Sequence, residues 1–332
     1  MPSILEGLRA ALSPEYEVEQ ALASGGMGTV FRAREVALDR LVAVKILRPE
    51  LATADATERF VREAQALANL SHPNTVSIHR AGEAGGFSYY VMDYVEGETL
   101  AQRLKHGPLS RDVLRKLGRD LLDALESVHA MGVVHRDIKP SNIFLSKDRA
   151  LLADFGISRP SGPQTIPPGR RASSVTGTPG YMPPEQAFGW SISPQTDLYA
   201  VGMVLYEAAT GRRWEAALPD SRPDWSGVPR SLQPILRRAL AWEPQRRWPD
   251  ARSFRHALWR TRTAKYRRRA FVFTAGGLAI GAVLAFMLMR SAPSETEWYD
   301  LAILPLTETG AATHGLGGIV ASLAPGFLPA SV

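Results

Sequence analysis

The chain has 332 residues and no cysteine, which excludes a disulfide framework and any cysteine-based metal site or nucleophile. Its length suits a two-lobed domain with a smaller appendage, roughly two or three units in all. The net charge of +6 is matched by residues 260–269 (RTRTAKYRRR), with six cations and no acid, so the remainder is balanced and argues against a nucleic-acid-binding face.

At the start, MPSILEGLRAAL lacks a basic stretch followed by an apolar core, so no signal peptide is expected. Ile4, Leu5, Leu8 and Leu12 share one helical face and Ser13-Pro14 ends the run; residues 1–13 read as a lead-in helix. From Tyr16 to Tyr94 the pattern is of strands rich in Val, Tyr and Phe around one helix over residues 57–70, closed by Ser71-His72-Pro73-Asn74. This predicts a small sheet-rich lobe. Within it, Leu22-Ala23-Ser24-Gly25-Gly26-Met27-Gly28-Thr29-Val30 has glycines where a strand-turn-strand folds backbone amides over phosphates. Alone, such a run is more often just a turn. Val42-Ala43-Val44-Lys45 then delivers an ammonium to the same lobe, and Glu63 follows on the helix.

Helical patterns dominate from Leu100 to Leu258, for example over residues 113–131, and no internal repeat is visible. They are interrupted by HRDIKPSNIFLSKDRALLADFG at 135–156, which sets Asp137, Lys139, Asn142 and Asp154 on one short hairpin. Phosphoryl transfer needs little covalent help, but it needs the acceptor and the γ-phosphoryl in line and charge neutralised between the phosphates. Asp137 suits acceptance of a hydroxyl proton, and Asn142 and Asp154 are hard oxygen ligands for Mg²⁺. The order of glycine loop, strand lysine, helix glutamate, HRD, Asn and DFG carries the weight, since each part alone is commonplace. Residues 159–178 have no apolar periodicity and read as a long mobile loop bearing Thr165, Ser173, Ser174 and Thr176.

After the basic run (259–269), residues 270–289 are apolar except for Thr274, and as a helix they would span roughly 30 Å, the thickness of a bilayer's hydrocarbon. The cations lie on the N-terminal side, whereas residues 291–332 hold acids and no Lys or Arg. The positive-inside rule therefore puts the N-terminal portion in the cytoplasm at the inner membrane and residues 290–332 outside. The basic run suits anionic headgroups. Gly277 and Gly281 form a GxxxG pattern that permits a homodimer through this helix.

On these motifs residues 14–258 resemble the bacterial eukaryotic-like (Hanks-type) serine/threonine protein kinases. The resemblance implies an α+β bilobal kinase fold, with a β-rich N-lobe (14–94) and a mainly helical C-lobe (95–258), followed here by one transmembrane helix. It implies ATP as cosubstrate with Mg²⁺, for which Mn²⁺ is a substitute, and protein substrates with Ser/Thr acceptors. Leu22, Gly25, Gly28, Val30, Ala43 and Phe144 would line the nucleotide site, Met92 would be the gatekeeper, and Asp93, Tyr94 and Val95 the hinge. Lys45 would contact the α- and β-phosphates and be oriented by an ion pair to Glu63; Lys139 would reach the γ-phosphate. Asn142 and Asp154 would hold the metal, and Asp137 would face the acceptor, seated by Gly177 to Glu185. Arg136 would bind a phosphate on Thr165, Ser173, Ser174 or Thr176, an autophosphorylation switch. Glu185 and Arg247 match a structural ion pair, and Asp197 an acid that braces the catalytic loop. Two departures stand out: Ala23 replaces the first loop glycine, which predicts weaker nucleotide binding, and Pro183-Pro184-Glu185 replaces the usual APE. The competing readings are a catalytically impaired pseudokinase scaffold and a small-molecule phosphotransferase. Residues 290–332 are similar to the start of the TolB-like segment of some bacterial kinases, too short to complete that domain.

Overall fold

A computed structural model describes residues 4–25, 28–48, 52–155, 181–215 and 223–260, and the single residue Met287. All but Met287 fall within the compact unit Met1–Val272. Gly26, Met27, Thr165, Ser173, Ser174, Thr176, residues 177–180, most of the basic run, the proposed span apart from Met287, and the segment 290–332 lie outside the described residues. No described helix is long and apolar enough to cross a membrane.

The N-terminal half is a five-stranded antiparallel sheet in the order β1-β2-β3-β5-β4, built from β1 (Tyr16–Ser24), β2 (Gly28–Glu35), β3 (Arg40–Leu47), β4 (Ile78–Ala84) and β5 (Phe87–Asp93). Alternation along these strands sorts side chains between two faces. On one face Phe31, Ala33, Val42, Val44, Ile46, Tyr89 and Val91 form a buried cluster with Leu8 and Leu12 of the lead-in helix α1 (Ile4–Leu12). The intervening positions Val30, Ala43, Lys45, Tyr90 and Met92 take the opposite face. Lys45 pairs with Tyr90 in the β3–β5 register, and Tyr90 packs with Phe60, Ala64 and Leu67 of α2 (Ala54–Ala68). Helix α2 starts three residues before the expected 57, because the Thr53 hydroxyl accepts from the Ala56 N–H at 3.3 Å and caps it.

The second half opens with a small sheet of β6 (Glu98–Thr99), β7 (Ile143–Ser146) and β8 (Arg149–Leu152), which carries the motif hairpin. Around it lie α3 (Leu100–Leu104), α4 (Arg111–Ala130), α5 (Pro184–Phe188), α6 (Pro194–Thr210), α7 (Gln233–Ala239) and α8 (251–260). Helix α6 is apolar on nearly every side, as a helix enclosed by its neighbours must be, and residues Leu198 to Tyr206 are all buried. Gly118 lets α4 close on it: a Cβ there would sit 2.9 Å from Leu258 Cδ1 and 3.2 Å from Leu205 Cδ1. The sheet-rich lobe and the helical lobe thus match the expected α+β division.

Candidate active site

The cleft face of the sheet supplies one wall. Val30 and Met92 are half-buried and Ala43 is 4 % exposed, while Leu22 stands out at 42 %. Phe144, on β7 of the other lobe, is half-buried. The Gly25 N–H donates to the Gly28 carbonyl at 2.9 Å, which closes the turn between β1 and β2. Gly28 is needed for a further reason that the motif does not reveal: a Cβ at this position would collide with the Ile46 carbonyl oxygen of β3. Ala23, the departure from the expected glycine, lies exposed in β1 opposite Val30, beside a bulge. Asp93 has its carboxylate turned to His79 Nε2 at 2.8 Å and to the Ser77 N–H at 3.4 Å.

Lys45, 8 % exposed, forms an ion pair with Asp154 Oδ1. The sequence points to Glu63 as a partner of Lys45; Glu63 is half-buried on α2 with interactions of its own, and the ion pair described for Lys45 is the one to the metal-ligand candidate. Enclosure in the cleft favours the neutral acid, yet the adjacent Lys45, with help from Lys139, holds the Asp154 carboxyl below its ordinary value. The Tyr90 hydroxyl also donates to Asp154 Oδ1, at 3.2 Å. Burial and then the Asp154 charge push this phenol well above its ordinary value, so it stays a neutral donor. The motifs did not expose Tyr90; the strand period, which places residue 90 on the face of Lys45, is the signal that could have.

The catalytic loop presents Asp137, with Lys139 Nζ at 3.0 Å and Asn142 Nδ2 at 3.1 Å from Asp137 Oδ2. Asn142 Nδ2 also donates to the Asp137 carbonyl at 2.9 Å, and the Asn142 carbonyl accepts the Ala153 N–H at 2.9 Å. That last bond ties the loop to the strand end that carries Asp154. Both Arg136 (φ 66°) and Asp154 (φ 63°) are left-handed, a conformation that costs a non-glycine residue about 1 kcal/mol or more. The surroundings impose it. Buried Asp197 of α6 accepts the His135 N–H at 2.8 Å and the Arg136 N–H at 2.9 Å, and meets His129 Nε2 at 2.8 Å, so its expected bracing role is seen directly; His129 is a participant the motifs had not singled out. The His135 ring is fully buried against Phe155, with centroids 4.5 Å apart. Its Nε2 lies 3.2 Å from the Ala153 carbonyl and its Nδ1 accepts from the Asp137 N–H at 3.3 Å. Burial holds this imidazole below its ordinary value, and the two bonds select the neutral tautomer protonated at Nε2.

Two hard oxygen donors, Asn142 and Asp154, fit an ion of the Mg²⁺ type, which keeps several waters and shares phosphate oxygens. No cluster of three or more His, Cys, Asp or Glu among the described residues could hold a metal on its own.

Beyond the described gap, Tyr181 resumes the chain with its hydroxyl donating to Glu207 and the Arg213 guanidinium 5.4 Å from its ring centroid. Gln186 of α5 donates to the Arg136 carbonyl at 3.1 Å, so the residue that follows the expected substrate seat is joined to the catalytic loop. Underneath, Glu185 and Arg247 form a bidentate pair at 2.6 and 2.8 Å with side chains 1 % and 0 % exposed. The remaining guanidinium bonds go to the Ala241, Gln195 and Trp242 carbonyls. Removing one partner from so enclosed a pair costs about 3–5 kcal/mol, which makes it scaffold for the seat.

A two-lobed fold with a glycine turn and a lysine strand on one wall, and an Asp-Lys-Asn loop with a second aspartate on the other, defines a nucleotide-dependent phosphotransferase of the protein-kinase type. Residues 16–259 match the protein kinase domain family, and the chain belongs to it. It is 34 % identical over 330 residues to serine/threonine-protein kinase pkn3 of Myxococcus xanthus, an alignment covering 92 % of this chain and 60 % of that protein. With serine/threonine-protein kinase PrkC of Bacillus subtilis it shares 35 % identity over 257 residues, 72 % of this chain and 39 % of the relative. The chain thus spans less than two thirds of the length of these relatives. Among solved structures, the PknI kinase domain of Mycobacterium tuberculosis is similar with a TM-score of 0.60 and 28 % identity, covering 75 % of this chain and 96 % of that one.

Proposed function

We propose that the protein transfers the γ-phosphoryl group of ATP to serine and threonine hydroxyls of proteins. The observation that carries this reading is the meeting, in one cleft, of the Lys45–Asp154 pair with the Asp137–Lys139–Asn142 cluster. The relatives' names support the acceptor class. With nucleotide in place, Lys45 exchanges its contact with Asp154 for the α- and β-phosphates. Lys139, paired with Asp137, meets charge on the transferring phosphoryl in this reading. Asp137 orients the acceptor hydroxyl and takes its proton as the new O–P bond forms and the bond to ADP breaks. Mg²⁺, or Mn²⁺ in its place, supplies charge neutralisation between the phosphates when bound at Asn142 and Asp154.

The wider reading is membrane-linked signalling. It rests on residues 260–289: a basic run before an apolar stretch would hold the kinase domain at the cytoplasmic face of the membrane and leave residues 290–332 outside. Pairing through Gly277 and Gly281 would bring two kinase domains together to phosphorylate Thr165, Ser173, Ser174 or Thr176, with Arg136 receiving the phosphate. Autophosphorylation with Mg-ATP tests the core of the proposal. Wild type should incorporate phosphate while Lys45→Met and Asp137→Asn lose about 100-fold or more; equal labelling of all three would sink it.

A further inference from the structure

We propose that Tyr90 is a positioning residue for the metal-facing carboxylate, its hydroxyl fixing Asp154 Oδ1 so that the carboxylate keeps one orientation when Lys45 leaves it for a nucleotide. The inference rests on the phosphotransfer reading above. Asp154 Oδ1 receives two donors, the Lys45 ammonium and the Tyr90 hydroxyl at 3.2 Å. Lys45 has a second task, because the phosphates compete for its charge. A phenol carries no charge for the phosphates to attract, so its bond to Asp154 persists through nucleotide binding. Nor can the ring easily move away: Tyr90 is 1 % exposed, and its ring packs on Phe60 of α2 with centroids 5.3 Å apart. Lys45 Nζ lies 5.9 Å from the Tyr90 ring centroid, so one side chain touches both charged groups and the helix behind them. The strand pattern alone would favour an apolar residue at this enclosed position, and a hydroxyl there must find a partner. Its partner is Asp154. Asp154 keeps 31 % of its side-chain surface exposed, so the carboxylate held through Oδ1 is not sealed off.

The test uses the full chain and the variant Tyr90→Phe, which deletes the hydroxyl and keeps the ring. ADP binding is measured by calorimetry with and without Mg²⁺, next to kinase assays of the same preparations. Tyr90→Phe should bind metal-free ADP within about twofold of wild type, while the enhancement of binding by Mg²⁺ falls about 3–10-fold, the range for the net contribution of one ordinary hydrogen bond. The kcat should fall by a similar factor, with KM for the protein acceptor unchanged. An unaltered Mg²⁺ enhancement overturns the proposal, as does an equal loss with and without metal, which would make the residue mere packing. A cycle with Asp154→Asn guards against general destabilisation: in that background the removal of the hydroxyl should have no further effect on the Mg²⁺ enhancement, and an undiminished effect overturns the idea. If wild type shows no kinase activity the phosphotransfer reading fails, while the binding comparison still decides the role of Tyr90.

Discussion

His135 shows how a single side chain can make the catalytic loop sensitive to pH without touching a substrate. Its ring is neutral because burial disfavours the imidazolium, and because Nδ1 must accept the Asp137 N–H. A histidine whose folded-state pKa lies below its unfolded one binds its proton more readily when unfolded, so stability rises with pH across the interval between the two. The contribution is therefore fully present above the ordinary value of 6.5 and is lost as pH falls below it toward the folded-state value. Unfolding free energies measured between about pH 7.5 and 5.5 should fall for wild type and fall less steeply for His135→Phe, which keeps the stacking on Phe155 without a titrating group. That variant should also be less stable at neutral pH by about 1–3 kcal/mol, since the Asp137 N–H and the Ala153 carbonyl lose a partner. Parallel slopes for the two proteins would show that His135 is not the sensor.

At the scale of elements, the lead-in helix α1 explains how the cleft can be built on an open sheet. One face of β2, β3 and β5 carries Phe31, Val42, Val44, Ile46 and Tyr89, and α1 covers it with Leu8 and Leu12, which are 0 % and 4 % exposed. Arg9 adds two bonds at 2.7 Å to the Val18 and Glu19 carbonyls of the edge strand β1, so the strand that leads into the glycine turn is held from outside. Leu8→Ala should cost about 2–5 kcal/mol in denaturant unfolding. Because β1 loses part of its support, KM for ATP should rise in the same variant while KM for the protein acceptor stays put. Unchanged stability would mean that α1 does not belong to the folded core. The amphipathic spacing of Ile4, Leu5, Leu8 and Leu12 was legible before any coordinates, as were the strand alternation and the order of the motifs, because each is a local pattern of apolar or polar residues. The Lys45–Asp154 pair and the Tyr90 hydroxyl were not, since residues 45 and 154 come from different lobes and no local pattern records which charge a lysine meets. The same limit hid the carbonyl of Ile46 behind the need for Gly28.

For the whole molecule, the composition of residues 260–289 bears on where the kinase domain would work. Twenty residues with Thr274 as the one polar side chain, preceded by six cations, are costly to leave in water: at about 25 cal/mol per Å² of apolar surface, several exposed Leu, Phe, Val and Met side chains together outweigh the entropy of inserting a helix. In the proposed span the charge asymmetry would set direction, since arginines close to the start of a span are retained on the cytoplasmic side. The full chain expressed in a bacterial host should stay in the membrane fraction through carbonate at high pH, and a protease added to intact spheroplasts should spare the kinase domain while removing an epitope placed after Val332. Replacing Leu278 and Leu284 by Arg should release the protein from the membrane, given about 2.5–3.5 kcal/mol per charge near a helix centre. Kinase activity of the released protein in solution should persist, because the cleft residues belong to the unit Met1–Val272, whereas labelling of Thr165, Ser173, Ser174 and Thr176 should become steeply dependent on protein concentration once two copies no longer share a membrane. Full extraction of the unmodified chain by carbonate would remove the membrane from the account and leave the phosphotransfer chemistry untouched.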